Sequence, residues 1–185
     1  MTEPKFLTME ELQAGLPVIR QAPENDGELK LIVRRPQINA REVLAEAELN
    51  TEEGLAGDNW KDRSSSRTED GSPHPEMQIN IMNWRVITLL APDESRHPLA
   101  GDQLFLDLNL SKENLPAGTR LALGSAILEV TAEPHTGCKK FVERFGLDAM
   151  KFVNSEVGRE LQLRGINARV VQSGTIRTGD RATRL

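Results

Sequence analysis

The chain has one cysteine, no tyrosine and an aromatic content of only 4 % over 185 residues. A single cysteine cannot close an internal disulfide, which fits a reducing compartment and excludes a disulfide-stapled fold. No run approaches the roughly eighteen apolar residues that a membrane-spanning helix needs. Basic residues are in deficit as well: 23 Lys and Arg stand against 28 Asp and Glu, a formal charge of −5. That balance argues against broad nucleic-acid binding, which requires a basic surface to neutralise phosphates. The start, "MTEPKFLTMEELQ", carries acids where a secretory signal has a basic end and an apolar stretch. A cytoplasmic protein with no membrane segment is the expectation. GxGxxG, GxxxxGK[ST] and GxSxG are all missing, so the usual nucleotide and hydrolase sites are not expected. Closely spaced zinc-ligand pairs are missing too, since His74 and His97 fall in unrelated loops.

What remains is a chain of short alternating segments. "TMEELQA" reads as a short helix with Thr8 and Glu11 at capping-box spacing, stopped by Gly15 and Pro17. Residues 28–36 read as a strand ended by Pro36. Residues 41–50 fit helix by composition and strand by the alternation of "AEAEL". Residues 61–76 contain no large apolar side chain and read as a long loop, either a lid or a disordered segment. "MQINIM" alternates like a strand, and "NWRVITLLA" reads as a helix with Asn83 as its cap. "DQLFLDLNL" alternates, and "TRLALG" with "SAILEVTAE" form a hairpin about Gly124-Ser125. After the cysteine, residues 138–145 read as a helix stopped by Gly146. Asp148 is placed to cap the next helix, and Gly165 marks that helix's exit. Residues 168–173 and 180–185 read as strands around a turn from Gly174 to Gly179. Many short strands and few helices predict a mainly β domain, a barrel with helices packed outside it.

The single cysteine lies in "EPHTGCKKFVERFG" (133–146), beside three of the five phenylalanines, Phe141, Phe145 and Phe152. A helix starting near Gly137 puts Cys138, Phe141, Val142 and Phe145 on one inward face. Two uses of the thiol stay open. Free cysteine is among the most buried residue types, so Cys138 is a candidate small core residue. Alternatively, helix N-terminal N–H groups with Lys139 and Lys140 favour a thiolate and an anion together. His135 has a spacing that permits, without establishing, a Cys–His pair. Trp60 and Trp84 read as core or pocket-wall anchors.

Four stretches occur in an order that resembles the MOSC domain family, named for the C-terminal domain of molybdenum cofactor sulfurase. "GLAGD" (54–58) is similar to the family's GLxGD turn, and "GDQL" (101–104) sits where many members have GENL. "GTRLALGSAILEVT" (118–131) resembles the paired strands before the family's cysteine. "CKKFVERFG" and "GRELQLRGINARVVQSGTIRTGD" (158–180) resemble its end. The resemblance runs from about Leu29 to the C-terminus, which divides the chain into residues 1–28, an N-terminal helix and extension, and a MOSC domain over 29–185. It implies a β-barrel-like fold and molybdenum-cofactor or sulfur chemistry, with Cys138 at the family's cysteine and as a molybdenum ligand. It also implies reduction of N-hydroxylated or N–O compounds, with a small-molecule substrate and an electron-donor or cofactor-delivery protein as partners. A sulfur or cofactor carrier with a Cys138 persulfide, and a non-catalytic binding module, are the alternatives. The residues it puts forward for cofactor contact are Cys138, Lys139, Lys140, Arg164, Arg169 and Asp58, with His135 as proton donor or thiol partner. The chain departs from the pattern at His135, where many members have Arg, at Gly137, where they have Pro, and at Asp102 and Gln103.

Overall fold

A computed structural model describes residues 5–185. Two short helices, α1 (Met9–Ala14) and α2 (Leu16–Arg20), lead into strand β1 (Gly27–Arg34). Strands β2 (Glu42–Leu44), β3 (Glu46–Asn50), β4 (Gly54–Leu55) and β5 (Ile79–Asn83) precede helix α3 (Trp84–Leu90). Strands β6 (Leu104–Asp107), β7 (Arg120–Leu123) and β8 (Ala126–Val130) come next. Helices α4 (Lys139–Phe145), α5 (Leu147–Asn154) and α6 (Glu156–Glu160) separate them from β9 (Ile166–Gln172), β10 (Gly174–Arg177) and β11 (Arg181–Arg184).

Strands β1, β6, β5, β9, β8, β7 and β11 form a ring that closes where β11 pairs with the first residues of β1, and β2 pairs with the last residues of β1. All its pairs are antiparallel except β5 with β6, which are joined through α3. The expected mainly β barrel is therefore present. Strands β10, β3 and β4 make a smaller antiparallel sheet. The alternation of strand side chains explains how the core divides. Ile79 and Ile81 of β5 and Leu104 and Leu106 of β6 join an interior of Leu, Ile, Val and Ala alone. Met82 and Phe105, on the opposite faces of the same strands, pack in a second cluster with Leu12, Phe141, Phe145 and Phe152. The few large rings are thus spent between the barrel wall and the helices. No helix among the described residues is long and apolar enough to cross a membrane.

Local chemistry accounts for most boundaries. Thr8 and Glu11 form the reciprocal capping box at α1, and the Asn83 side chain accepts from the Arg85 and Val86 N–H groups at α3. Gly124, at φ +56°, turns the β7–β8 hairpin. Residues 41–50, open between helix and strand in the sequence, are strands, because β3 finds β10 as an edge partner. Other expectations are corrected. Residues 174–177, expected as a turn, form that partner strand. Gly146 rather than Asp148 caps α5, and the Asp148 carboxylate instead accepts the Met9 N–H at 3.0 Å. Residues 61–76 are an irregular loop with internal and tertiary ties: Thr68 Oγ1 donates to Ser72 O at 2.7 Å and Arg67 pairs with Glu133 at 2.6 Å.

Candidate functional site

Between the barrel wall and α4 lies a cavity of about 680 Å³. The stretch that leads into α4 explains how the cysteine reaches it. From Glu133 to Cys138 the chain is not helical, and alternate residues turn inward: Glu133, His135 and Gly137 are half-buried while Pro134, Thr136 and Cys138 are exposed. Cys138 is the residue that caps α4, with φ −124° and ψ −179°, and its thiol faces the cavity region rather than the core. The expectation of an inward stripe fails at this one position. Phe141 and Phe145 do pack inward, but the helix starts one residue later than Cys138, which follows the period of two of the preceding segment.

Two buried arginine–aspartate pairs support the cavity floor. Arg35, from the end of β1, donates from Nε and Nη2 to Asp58 at 2.7–3.0 Å, and from Nη1 to Asn80 Oδ1 at 2.9 Å and Gly101 O at 2.8 Å. Gln103 Nε2 approaches the same Asp58 at 3.4 Å while its Oε1 accepts the Asn80 N–H at 2.6 Å. In the second pair, Arg164 Nη1 donates to Asp102 Oδ2 at 2.7 Å and Nη2 donates to Ala100 O at 3.0 Å. Asp102 Oδ1 meets His135 Nε2 at 2.9 Å. The Arg164 guanidinium stacks over Phe141 at 5.0 Å, and its Nε is buried without a partner. Gly165 lets this cluster close: a Cβ there would stand 2.4 Å from Ile81 O and 3.0 Å from His135 Cδ2.

Burial alone would raise the Asp102 carboxyl, but Arg164 and His135 outweigh it and hold it below the usual carboxylate range. Burial, aided by Arg164, pushes the His135 imidazole down against the pull of Asp102. His135 is therefore neutral near pH 7. With Nε2–H given to the carboxylate, Nδ1 is its proton-accepting atom.

Above this floor stand cations with no carboxylate partner among the described residues. Arg41 bonds to Pro98 O and Ala40 O, Arg63 to Asn59 Oδ1, and Arg144 to Leu99 O. Lys140 lines the same cavity. Arg41 Nη2 and Arg144 Nη1 lie 3.6 and 3.7 Å from the point where a Cβ on Gly101 would sit, so the two guanidinium groups converge. Burial, Arg144 and Arg35 all lower Arg41. Burial and Arg35 push Arg63 down to about 10. With Asp62 the one acid in the cavity lining, these like charges repel one another, and an anion joining them would relieve that. In a chain of net charge −5, this concentration of cations gives the cavity a local field that attracts anions.

The structure brings together Cys138, His135, Arg164 and Lys140 from the sequence candidates. Asp58 is fully occupied beneath the cavity by Arg35 and does not line it. Lys139 is exposed and turns away from the lining. Arg169 stands on the outer face of β9, paired with Glu129 at 2.7 Å, and takes no part in the cavity. Sequence reasoning missed Arg35, Arg41, Arg63 and Arg144. The only local signal was the Arg34-Arg35-Pro36 end of a strand, and the unpaired state of the others exists only in three dimensions. A separate His74, Glu76 and Glu133 group has ligand atoms within 4.8 Å of one another. Two of its members are engaged: Arg67 pairs with Glu133, and His74 Nδ1 accepts the Glu76 N–H.

Residues 93–183 match the family model of the MOSC domain. Those residues carry a MOSC domain. The match holds the Asp102 cluster and Cys138, while Arg35, Arg41 and Arg63 lie before it. The fold is also that of the YuaD protein from Bacillus subtilis, with TM-score 0.63 and 15 % identity over 84 % of this chain and 93 % of that one. YiiM from Escherichia coli matches with TM-score 0.55 and 17 % identity over 85 % of this chain and 69 % of that one. YiiM from Geobacillus stearothermophilus matches with TM-score 0.52 and 15 % identity over 87 % and 73 %. No curated protein matches the sequence. The MOSC family is associated with molybdenum-cofactor binding.

Proposed function

We propose that this MOSC-domain protein holds a molybdenum–pterin cofactor in the cavity, with the Cys138 thiolate as the protein ligand to the metal. The observation that carries this reading is an exposed lone thiol beside a cavity lined by Arg41, Arg63, Arg144 and Lys140, none of which forms a salt bridge among the described residues. The donor set fits the group. A thiolate suits a thiophilic metal, and the cations with the unpartnered Arg164 Nε suit an anionic pterin. When bound, the cofactor supplies the two-electron redox chemistry.

The chain's own residues bind, orient and move protons. Arg41, Arg63, Arg144 and Lys140 neutralise the anionic portion, and Asp102 fixes Arg164 and His135 at the floor. His135 exchanges a proton at Nδ1 with a small-molecule substrate. The reaction proposed is reduction of an N-hydroxylated compound: the N–O bond breaks, nitrogen gains two electrons, and two protons complete the amine and water. The electrons come from a separate donor protein that is oxidised in the exchange. A second reading is favoured by the exposure of Cys138 itself: a thiolate open to solvent can attack the outer sulfur of a donor protein's persulfide, releasing the donor thiol, and pass that sulfur on in the same way. The same exposure counts against the alternative of a cysteine buried in the core.

Anaerobic purification from a host that makes the cofactor, beside Cys138→Ser, tests the first reading. Near-stoichiometric molybdenum and pterin, lost in the serine variant, are expected. No molybdenum in either protein, under conditions that load a positive control, overturns cofactor binding. Turnover of an N-hydroxy compound with an artificial reductant then separates reductase from sulfur carrier.

A further inference from the structure

The segment that carries Cys138 has no backbone ladder of its own. It is held by side chains reaching in from elsewhere, at every second residue. Asn167 Nδ2 donates to Glu133 O at 3.1 Å, and Asp102 takes His135 Nε2 at 2.9 Å. At Gly137, the residue before the cysteine, the Asn154 side chain makes both contacts: Oδ1 accepts the Gly137 N–H at 3.0 Å and Nδ2 approaches Gly137 O at 3.4 Å. Asn154 is the last residue of α5 and is half-buried, and its Nδ2 also lies 3.2 Å from Met150 Sδ. On the other side, Cys138 O accepts the Phe141 and Val142 N–H groups at 2.9 and 3.2 Å, which ties the cysteine into α4.

Glycine has the freest backbone of any residue, so a glycine directly before a functional side chain leaves that side chain loosely aimed. Here the amide of Asn154 takes up that freedom. The approach is close: a Cβ on Gly137 would meet Met150 Cγ at 3.2 Å, Asn154 Nδ2 at 3.3 Å and Val153 Cγ2 at 3.4 Å. The segment lies flat on the end of α5 because residue 137 has no side chain, and Asn154 reaches its backbone for the same reason. We propose that Asn154 is a positioning residue, clamping both polar groups of Gly137 so that the Cys138 thiol is presented to the arginine-lined cavity. The inference rests on the reading that Cys138 works from that cavity. It adds the means by which a glycine-preceded thiol is aimed.

The test uses the full chain without cofactor, as wild type, Asn154→Ala and Asn154→Asp. Two quantities are read: amide exchange at Gly137, and the rates at which Cys138 is alkylated by anionic iodoacetate and by neutral iodoacetamide. A thiol held beside unpaired arginines favours the anionic reagent, and the ratio of the two rates reports where the thiol sits. Loss of fold would also lower the ratio, so the ratio is read only for variants whose circular dichroism and urea midpoint show a folded chain. Asn154→Ala is expected to speed Gly137 exchange about tenfold. It should also lower the iodoacetate preference by about threefold or more. Asn154→Asp retains an acceptor for the Gly137 N–H and should recover exchange protection. A wild-type rate ratio in Asn154→Ala, with the fold intact by circular dichroism, overturns the clamp whether or not the cofactor binds. A lowered ratio in a protein that takes up no molybdenum leaves the clamp standing and removes the cofactor reading instead.

Discussion

Arg35–Asp58 and Arg164–Asp102 are both buried guanidinium–carboxylate pairs at the edge of one cavity, yet they are built to different degrees of completeness. Every nitrogen of Arg35 has a protein acceptor, and both Asp58 oxygens face its guanidinium. Arg164 leaves Nε without a partner, and Asp102 gives its second oxygen to a titratable histidine. The first pair is a strut that joins β1 to the turn after β4. The second is a receptive site, because it has a donor to spare and a histidine whose Nδ1 is free to accept a proton. Identical residue types thus separate into structure and function by how many of their hydrogen bonds the protein itself completes.

The largest expected effect is on the strut. Asp58→Ala leaves a buried guanidinium short of its counter-charge and should cost about 3–5 kcal/mol in urea denaturation. Asp102→Asn keeps acceptor and donor groups beside a cavity that water can enter, and should cost about 1–3 kcal/mol. Equal costs for the two would abolish the distinction between strut and site. The comparison sharpens if Asp102→Asn, with its smaller stability cost, loses more molybdenum and pterin than its unfolding explains.

The strut and the site were unequally legible in the sequence. Alternation exposed β5, β6 and the β7–β8 hairpin because each strand shows one face to an aliphatic interior. Thr8 and Asn83 marked helix starts through their own side chains. Those signals are local. The partners of β3 and β10 are more than a hundred residues apart, so neither was seen as an edge needing the other. Cys138, His135 and Arg164 were found through pattern and resemblance. Arg41, Arg63 and Arg144 were not, since a cation is recognised as unpaired only once every nearby acid has been placed. Asp102 entered as a mere departure from a motif, yet its burial makes it the link between His135 and Arg164.

A third way to separate the pairs is pH. His135 has its folded value lowered from 6.5, so its stabilising contribution is present above that pH. It is lost as pH falls below 6.5 toward the lowered value, because the unfolded chain takes up the proton first. Asp102 is also lowered, from 3.8, so its contribution persists to more acid conditions and disappears only as pH falls through its folded value. Urea midpoints measured from about pH 7.5 down to about pH 5 should decline in wild type. In His135→Gln that decline should flatten, whereas Asp58 variants should keep the wild-type slope. A slope unchanged by His135→Gln would show that the site pair is as insensitive to protons as the strut.

The smallest effect concerns an arginine that belongs to neither pair. Arg169 was put forward with Arg164 through the family resemblance, but it faces out from β9 and pairs with Glu129 at the surface. Its side chain is 48 % exposed, so water and salt already screen the pair. Arg169→Ala should therefore shift stability by less than about 1 kcal/mol. Cofactor content should remain at the wild-type level, measured as molybdenum per chain. Arg164→Ala in the same assay removes the donor with the unpartnered Nε and should lose cofactor. The two variants delete the same charge five positions apart, so a difference between them isolates the geometry of the cavity from the net charge of the chain. Equal cofactor loss would mean that long-range charge, rather than the receptive pair, holds the anion.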